Sequence, residues 1–175
     1  AIIENCFASA DDGRKFLLKT DGTWELLSEN SADNCEIIIT AALVFKSGDV
    51  KPVARAKLYL LNEDFENILN KTGHQPKNDD INIMTDYCFA VRYTTLPEYQ
   101  SFYQKVAREM NNHIVKSEST NFKGEAIFSD IKPGIYYIMG STNISNQAIL
   151  WNLQTEVKKG KNNIVLDQDN ADCII

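Results

Sequence analysis

The hydrophobic residues near the N-terminus predict a β-hairpin followed by a linker. Two β-prone runs, residues 14–19 and 23–27, flank the dipeptide Asp21-Gly22. Because Asp and Gly both tolerate positive φ, this dipeptide between two hydrophobic runs is a strong hairpin signal. Residues 28–34 are small and polar, so we expect them to connect the hairpin to the rest of the chain.

The hydrophobic pattern after residue 35 is typical of a strand-rich domain. Residues 36–45 are β-branched and nearly continuous, which predicts a strand buried on both faces. A second strand is predicted over 53–61, with Leu58 and Leu60 on one face. Later strands are predicted over 124–128, 135–139, 147–157 and 162–166. About seven strands separated by turn signals predict a β-sandwich.

Helical periodicity interrupts this pattern between about residues 63 and 119. A short helix is predicted over 63–71, and it ends near Gly73. The longer helix, over 97–115, has one apolar stripe made of Tyr99, Phe102, Val106, Met110 and Ile114. Thr95 and Glu98 have the spacing of a capping box, and Pro97 occupies the first turn. We therefore expect a helical insertion whose apolar face lies against the sheet.

Length and charge limit the possible partners. The chain has 175 residues, 43% of them hydrophobic, which suffices for one domain with a core. We divide it into a hairpin segment with linker, 1–34, and a sandwich domain, 35–175. The net charge of -6 disfavours nucleic acid and anionic lipid surfaces. No apolar run approaches the ~20 residues that cross a bilayer, so we expect no membrane insertion.

Four cysteines indicate the compartment. They are far apart, without a Cys-x-x-Cys pair, which disfavours a zinc ribbon or a thioredoxin-type site. One nucleophilic cysteine assisted by His74 or His113 is the functional alternative. Two disulfides, or one disulfide and buried thiols, are the favoured interpretation, and three pairings are open. This predicts a secreted, periplasmic or cell-envelope protein, with Ala1 near the mature start. The disulfide candidates are Cys6, Cys35, Cys88 and Cys173.

Two stretches of sequence resemble a known family. Residues 120–128, followed by Ile-Lys-Pro-Gly-Ile-Tyr-Tyr-Ile at 131–138, resemble the core signature of transthyretin-like modules. These include carboxypeptidase regulatory-like domains and collagen-adhesin B-type repeats. Residues 48–59 are similar to the opening of such modules, and Asn121 stands where the family usually has Asp. The resemblance implies a seven-stranded β-sandwich that is non-catalytic and serves as a spacer, adhesin stalk or binding platform.

Candidate chemistry is sparse elsewhere. The two histidines lack the spacing of a zinc site, and there is neither a nucleophile elbow nor a phosphate loop. Asp167, Asp169 and Asp172 form an acidic cluster whose oxygens suit Ca²⁺, although a solvated tail is the favoured alternative. We therefore expect no enzymatic activity and no cofactor.

Aromatic residues are the better functional lead. Tyr136, Tyr137 and Trp151 lie on predicted strands, and an exposed platform of such rings suits recognition of sugars or peptides. Neighbouring strand residues point to opposite faces, so Tyr136 and Tyr137 are not both expected in the core. Trp151 is expected to pack inside the sandwich. Three further rings are assigned to predicted strands, namely Tyr87, Phe89 and Tyr93.

The sequence thus predicts a non-catalytic secreted or cell-envelope module that recognises a protein or glycan partner, or serves a structural role. A small hydrolase with carboxylates beside the insertion is the first alternative. An inhibitor-type protein, with the loop 73–80 as its contact, is the second. A hydrolase requires a pocket containing carboxylates with raised pKa values, whereas a binding module requires an exposed apolar surface.

Overall fold

The computed structural model describes residues 6–9, 15–19, 21–27, 35–45, 47–76, 78, 80–144 and 147–175. The N-terminal strands β1 (Cys6–Ser9), β2 (Lys15–Leu18) and β3 (Trp24–Leu27) form an antiparallel sheet in that order. The predicted hairpin is confirmed as β2–β3, with Gly22 at φ +82°. Strand β1 was not predicted.

The remaining strands form a β-sandwich. They are β4 (Cys35–Val44), β5 (Val50–Pro52), β6 (Lys57–Leu61), β7 (Ile114–Ser119), β8 (Glu125–Ile131), β9 (Gly134–Ile144), β10 (Gln147–Val157), β11 (Gly160–Leu166) and β12 (Cys173–Ile174). Sheet I has the order β12-β10-β9-β6-β7. Sheet II has the order β11-β4-β5, with β8 also paired to β4, and its β11–β4 pair is parallel. The mainly β sandwich with a helical insertion is confirmed.

Burial differs between the two sheets. On β4, alternate residues such as Ile37 and Ile39 are buried, while Thr40 and Val44 are exposed. The prediction that this strand is buried on both faces was therefore wrong, because sheet II has a core on one side only. On β10, the consecutive residues from Ala148 to Trp151 are all buried. Sheet I is thus covered on both faces.

The segment before β6 is a turn, whereas the sequence predicted a strand from residue 53. Arg55 has φ +60°, which breaks an extended backbone. The buried Thr120 hydroxyl donates to Val53 O at 2.6 Å and accepts from Ala56 N at 2.9 Å. The two stretches that resemble the transthyretin-like signature are therefore in direct contact.

Three helices lie between β6 and β7. Helix α1 (Phe65–Lys71) begins at Asp64, whose carboxylate accepts from Glu66 N, as the sequence predicted within two residues. Helix α2 (Ile83–Arg92) was missed, and Tyr87 and Phe89 lie on it instead of on strands. The side chain of Asn82 caps α2 by accepting from Thr85 N.

Helix α3 (Pro97–Met110) is shorter than predicted. Its stripe of Phe102, Val106 and Met110 is buried, but Ile114 belongs to β7. The N-cap residue is Leu96, without a side-chain hydrogen bond, so the predicted capping box was wrong. Among the described residues, no helix is both long and apolar enough to cross a membrane.

Two hydrophobic cores share sheet I. The first lies between the sheets and includes Ile37, Ile39, Leu58, Phe128, Ile138 and Trp151. The second lies between the outer face of sheet I and the helices, and includes Phe65, Leu69, Tyr87, Cys88, Phe102, Met139, Leu150 and Cys173. The insertion therefore covers the sheet as expected, and the molecule has three layers.

Candidate functional site

An open groove of about 530 Å³ lies where the end of β4 approaches the start of β10 and strand β12. It combines residues that are distant in sequence. The lining consists of Leu43, Val44, Phe45, Ser47, Gln147, Ile149, Gln168 and Ile174. The groove is therefore built by both sheets, with β12 forming one wall.

The described lining of the groove is apolar and uncharged. Five of its side chains are hydrocarbon, and the other three carry amides or a hydroxyl. Gln168 is fixed, because its Oε1 accepts from Val44 N at 3.0 Å. Ser47 Oγ donates to Asp49 Oδ2 at 2.8 Å. Such a surface favours apolar groups and provides few polar contacts to orient them.

The aromatic residues singled out from the sequence lie elsewhere. Trp151 is fully buried in the first core, and its Nε1 donates to Asp167 O at 2.7 Å. Tyr136 packs against the first core and Tyr137 against the second. Both tyrosines are half-buried, on opposite faces of β9. Ligand binding by these three rings stays a prediction.

The acidic residues near the C-terminus make local hydrogen bonds. Asp167 Oδ1 accepts from Asp169 N at 2.9 Å and from Asn170 N at 3.2 Å. Asp172 Oδ2 instead accepts from Asn152 N at 2.6 Å. Within the described part of the chain, no three His, Cys, Asp or Glu residues are grouped so as to hold a metal ion. The Ca²⁺ site stays a prediction.

Asn152 on β10 joins the start of α1 to the segment before β12. Its Oδ1 accepts from Phe65 N at 3.2 Å, and its Nδ2 donates to Asp64 Oδ1 at 3.3 Å. Partial burial raises the pKa of Asp172, the Asn152 N–H opposes that rise, and the nearby Asp64 and Glu66 carboxylates add to it. The negative charge on Asp172 is therefore a cost to the folded state.

Replacing Asp172 with asparagine should stabilise the protein slightly at neutral pH. The folded state binds the proton of Asp172 more tightly than the unfolded state, so this residue's contribution to stability falls as pH rises above about 4. Asparagine retains an acceptor for Asn152 N and carries no charge. Urea unfolding should show a gain of roughly a few tenths of a kcal/mol at pH 7 that disappears at pH 3. A loss at pH 7 would mean that the charge itself stabilises the fold.

The His74 side chain is partly buried against the helical layer, at 21% exposure. Its Nε2 lies 2.6 Å from Oδ2 of the buried Asp86, and its ring stacks on Phe102 at a centroid distance of 3.6 Å. His113 lies beyond α3, with Nδ1 3.2 Å from Asn62 Oδ1 and 3.3 Å from Glu63 Oε2. Neither histidine lines the groove.

The cysteines are divided between the two cores. Cys35 is buried in the first core, and Cys88 and Cys173 are buried in the second. Cys88 and Cys173 are present as thiols, in contact with each other. The side chain of Cys6 lies outside the described residues. A Cys6–Cys173 disulfide is among the pairings that the sequence left open. It would therefore have to form in place of the contact between Cys173 and Cys88.

Comparisons with known proteins give similarity in structure alone. No family model matches the chain, and no curated protein matches it. A proposed carbohydrate-binding protein from Pseudomonas aeruginosa is 13% identical, with a TM-score of 0.44, over 81% of this chain and 92% of that one. The minor pilin GBS52 of Streptococcus agalactiae is 12% identical, with a TM-score of 0.43, over 92% of this chain and 61% of that one.

The pilus backbone protein RrgB of Streptococcus pneumoniae is 11% identical, with a TM-score of 0.33, over 76% of this chain and 41% of that one. The chain thus spans less than two thirds of either pilin. At these identities and TM-scores, none of the similarities carries an argument about function. The transthyretin-like assignment made from the sequence stays a prediction.

Proposed function

We propose that this chain is a non-catalytic binding module whose groove receives apolar side chains from a segment of a partner protein. The observation that carries the proposal is the groove's lining of hydrocarbon and neutral polar groups at one end of a well-packed sandwich. Exposed apolar clefts of this kind are typical of binding surfaces. The buried cores on either side of sheet I supply a rigid frame for such a surface.

A protein segment suits the groove better than a glycan does. Sugars stack on open aromatic faces, and Phe45 is the one aromatic residue in the described lining. Lys51 Nζ lies 4.7 Å from the centroid of that ring, so one face of Phe45 is already occupied by a cation. The remaining hydrocarbon groups favour aliphatic or aromatic side chains instead.

The same geometry supports a non-catalytic role over the hydrolase alternative. The one hydroxyl in the described lining, on Ser47, pairs with Asp49 and has no histidine in the lining to act as its base. Asp172 has a raised pKa but does not line the groove, and its carboxylate is engaged by Asn152. We further propose a secreted or cell-envelope location.

Replacing Val44 with aspartate should weaken peptide capture by the groove. The probe is an array of short uncharged peptides that carry Leu, Ile or Phe, with a glycan array as the second arm. Val44 is 50% exposed, so the substitution places a charge in the groove with little strain on the core. We expect binding to weaken at least about tenfold, since each factor of ten corresponds to about 1.4 kcal/mol.

Val165 provides a matched control. It is 54% exposed, lies on β11 and does not line the groove, so Val165→Asp should leave peptide binding unchanged. Circular dichroism and a thermal melt would verify that both variants fold. Equal effects of the two substitutions, or capture of glycans without peptides, would contradict the proposed role of the groove.

A further inference from the structure

The thiols of Cys88 and Cys173 meet where helix α2 packs against the edge of sheet I. Cys88 is fully buried and Cys173 is 8% exposed, both within the second core. Cys88 Sγ lies 3.7 Å from Ala148 O on β10, and Cys173 is paired in register with Leu150 on the same strand. The two side chains also interact electrostatically. A helix residue and a residue of the edge strand are therefore adjacent although they are distant in sequence.

We propose that Cys88 and Cys173 form a reversible disulfide that fastens β12 to α2. This inference does not depend on the ligand of the groove. Strand β12 comprises two residues, Cys173 and Ile174, at the edge of sheet I. A covalent link from this short strand to a helix of the second core would hold an element that few backbone hydrogen bonds secure.

The two thiols differ in reactivity. Interaction with Cys88 lowers the pKa of Cys173 and the Thr85 side chain adds to this effect, while burial and the Asp172 carboxylate oppose it. The interaction with Cys173, together with burial, raises the pKa of Cys88. Since the thiolate is the attacking species, Cys173 is the first nucleophile and Cys88 is the second. Local opening of β12 would admit the oxidant.

The oxidant is a small disulfide such as oxidised glutathione. The Cys173 thiolate attacks one sulfur of that disulfide, a mixed disulfide forms, and one glutathione thiolate leaves. Cys88 then loses its proton to solvent and attacks the Cys173 sulfur, which releases the second glutathione thiolate. Two protein thiols are thereby oxidised, and one glutathione disulfide is reduced to two thiols.

The test uses the unmodified chain with all four of its cysteines. The protein is equilibrated in reduced and oxidised glutathione, quenched with acid, unfolded, alkylated and digested for mass spectrometry. The expected result is a peptide linked through Cys88 and Cys173 that disappears on reduction. Alkylation of both residues after oxidation, or linkage of either one to Cys6 or Cys35, would overturn the proposal.

Thermal melting provides a second readout. The linked residues are about 85 positions apart, so closing this loop should raise Tm by roughly 10 °C in the oxidised protein. Cys88→Ser should remove the difference between oxidised and reduced samples, whereas Cys35→Ala should retain it. If Cys88→Ser does not fold, the peptide map of the unmodified protein is the sole test of the Cys88–Cys173 disulfide. An equal Tm for the oxidised and reduced unmodified protein would show that the bond does not fasten β12.

Discussion

Replacing Gly124 with alanine is expected to destabilise the protein by roughly 3–5 kcal/mol. Gly124 has φ +79°, where an L-residue with a side chain is strained. A Cβ built at this position lies 2.2 Å from Ala41 O, a backbone atom that is unable to move independently. Gly124 O also accepts from Ala41 N at 2.8 Å, so relieving the clash would separate this turn from β4. Urea unfolding monitored by circular dichroism would measure the loss.

Gly48→Ala is the matched control for this substitution. Gly48 has φ +85°, almost the same backbone conformation, but nothing lies within 4 Å of a Cβ built there. Its replacement should cost about 1–2 kcal/mol, from backbone strain alone. The difference between the two variants therefore isolates the close approach of the turn to β4. Equal losses would show that the turn moves away from Ala41 without cost.

Replacing His74 with alanine should cost about 3 kcal/mol, the second large effect. Asp86 is 3% exposed, and His74 Nε2, 2.6 Å from Oδ2, is the side-chain partner that the structure gives its carboxylate. Removing the imidazole leaves a buried acceptor without that partner and also removes the ring stacked on Phe102. Chemical denaturation at constant pH would measure the change in the free energy of unfolding.

His113→Ala is the natural control, because the chain has two histidines. The His113 side chain is about as exposed as that of His74, but its partners Asn62 and Glu63 are more exposed than Asp86, and contacts with such partners contribute at most about 1 kcal/mol. The doubly substituted His74→Ala/Asp86→Asn chain should recover part of the loss, since it leaves no charge without its partner. If His113→Ala lowers the free energy of unfolding as much as His74→Ala does, the His74–Asp86 pair has no special role in stability.

The sequence predicted those helices and strands whose hydrophobic pattern lies within the element itself. The strands β4 and β10 are long and rich in apolar residues, and the buried stripe of α3 repeats at helical intervals. The turn at Asn121 was also predictable, since its side chain accepts from Lys123 N as the expected aspartate would. These features depend on local residues, so a single sequence contains them.

Helix α2 shows how a helical period can be misjudged. Ile83, Tyr87 and Val91 recur every four residues after the N-cap Asn82, which is a helical signal. The assignment of Tyr87 and Phe89 to strands was nevertheless wrong, although aromatic residues on their own favour extended structure. Packing of its apolar face against sheet I stabilises this segment as a helix. That long-range packing is not visible in the local sequence pattern.

The groove and the His74–Asp86 pair were beyond prediction for a different reason. Gln147, Gln168 and Phe45 have no unusual spacing, and only the meeting of β4, β10 and β12 brings them together. In the same way, a polar loop gave no sign that His74 would pair with Asp86 inside the helical layer. Sites assembled from distant segments require the topology, which local patterns do not supply.

The ends of the helical insertion meet, because β6 and β7 pair directly and Asn62 N donates to His113 O at 3.1 Å. The insertion of roughly 50 residues therefore connects two neighbouring antiparallel strands, as the turn of a β-hairpin does. Closing so long a disordered loop would be slow, whereas helices that have already formed bring the two strands together. We thus expect the helical layer to form early in folding and to set the rate at which sheet I acquires its last strand.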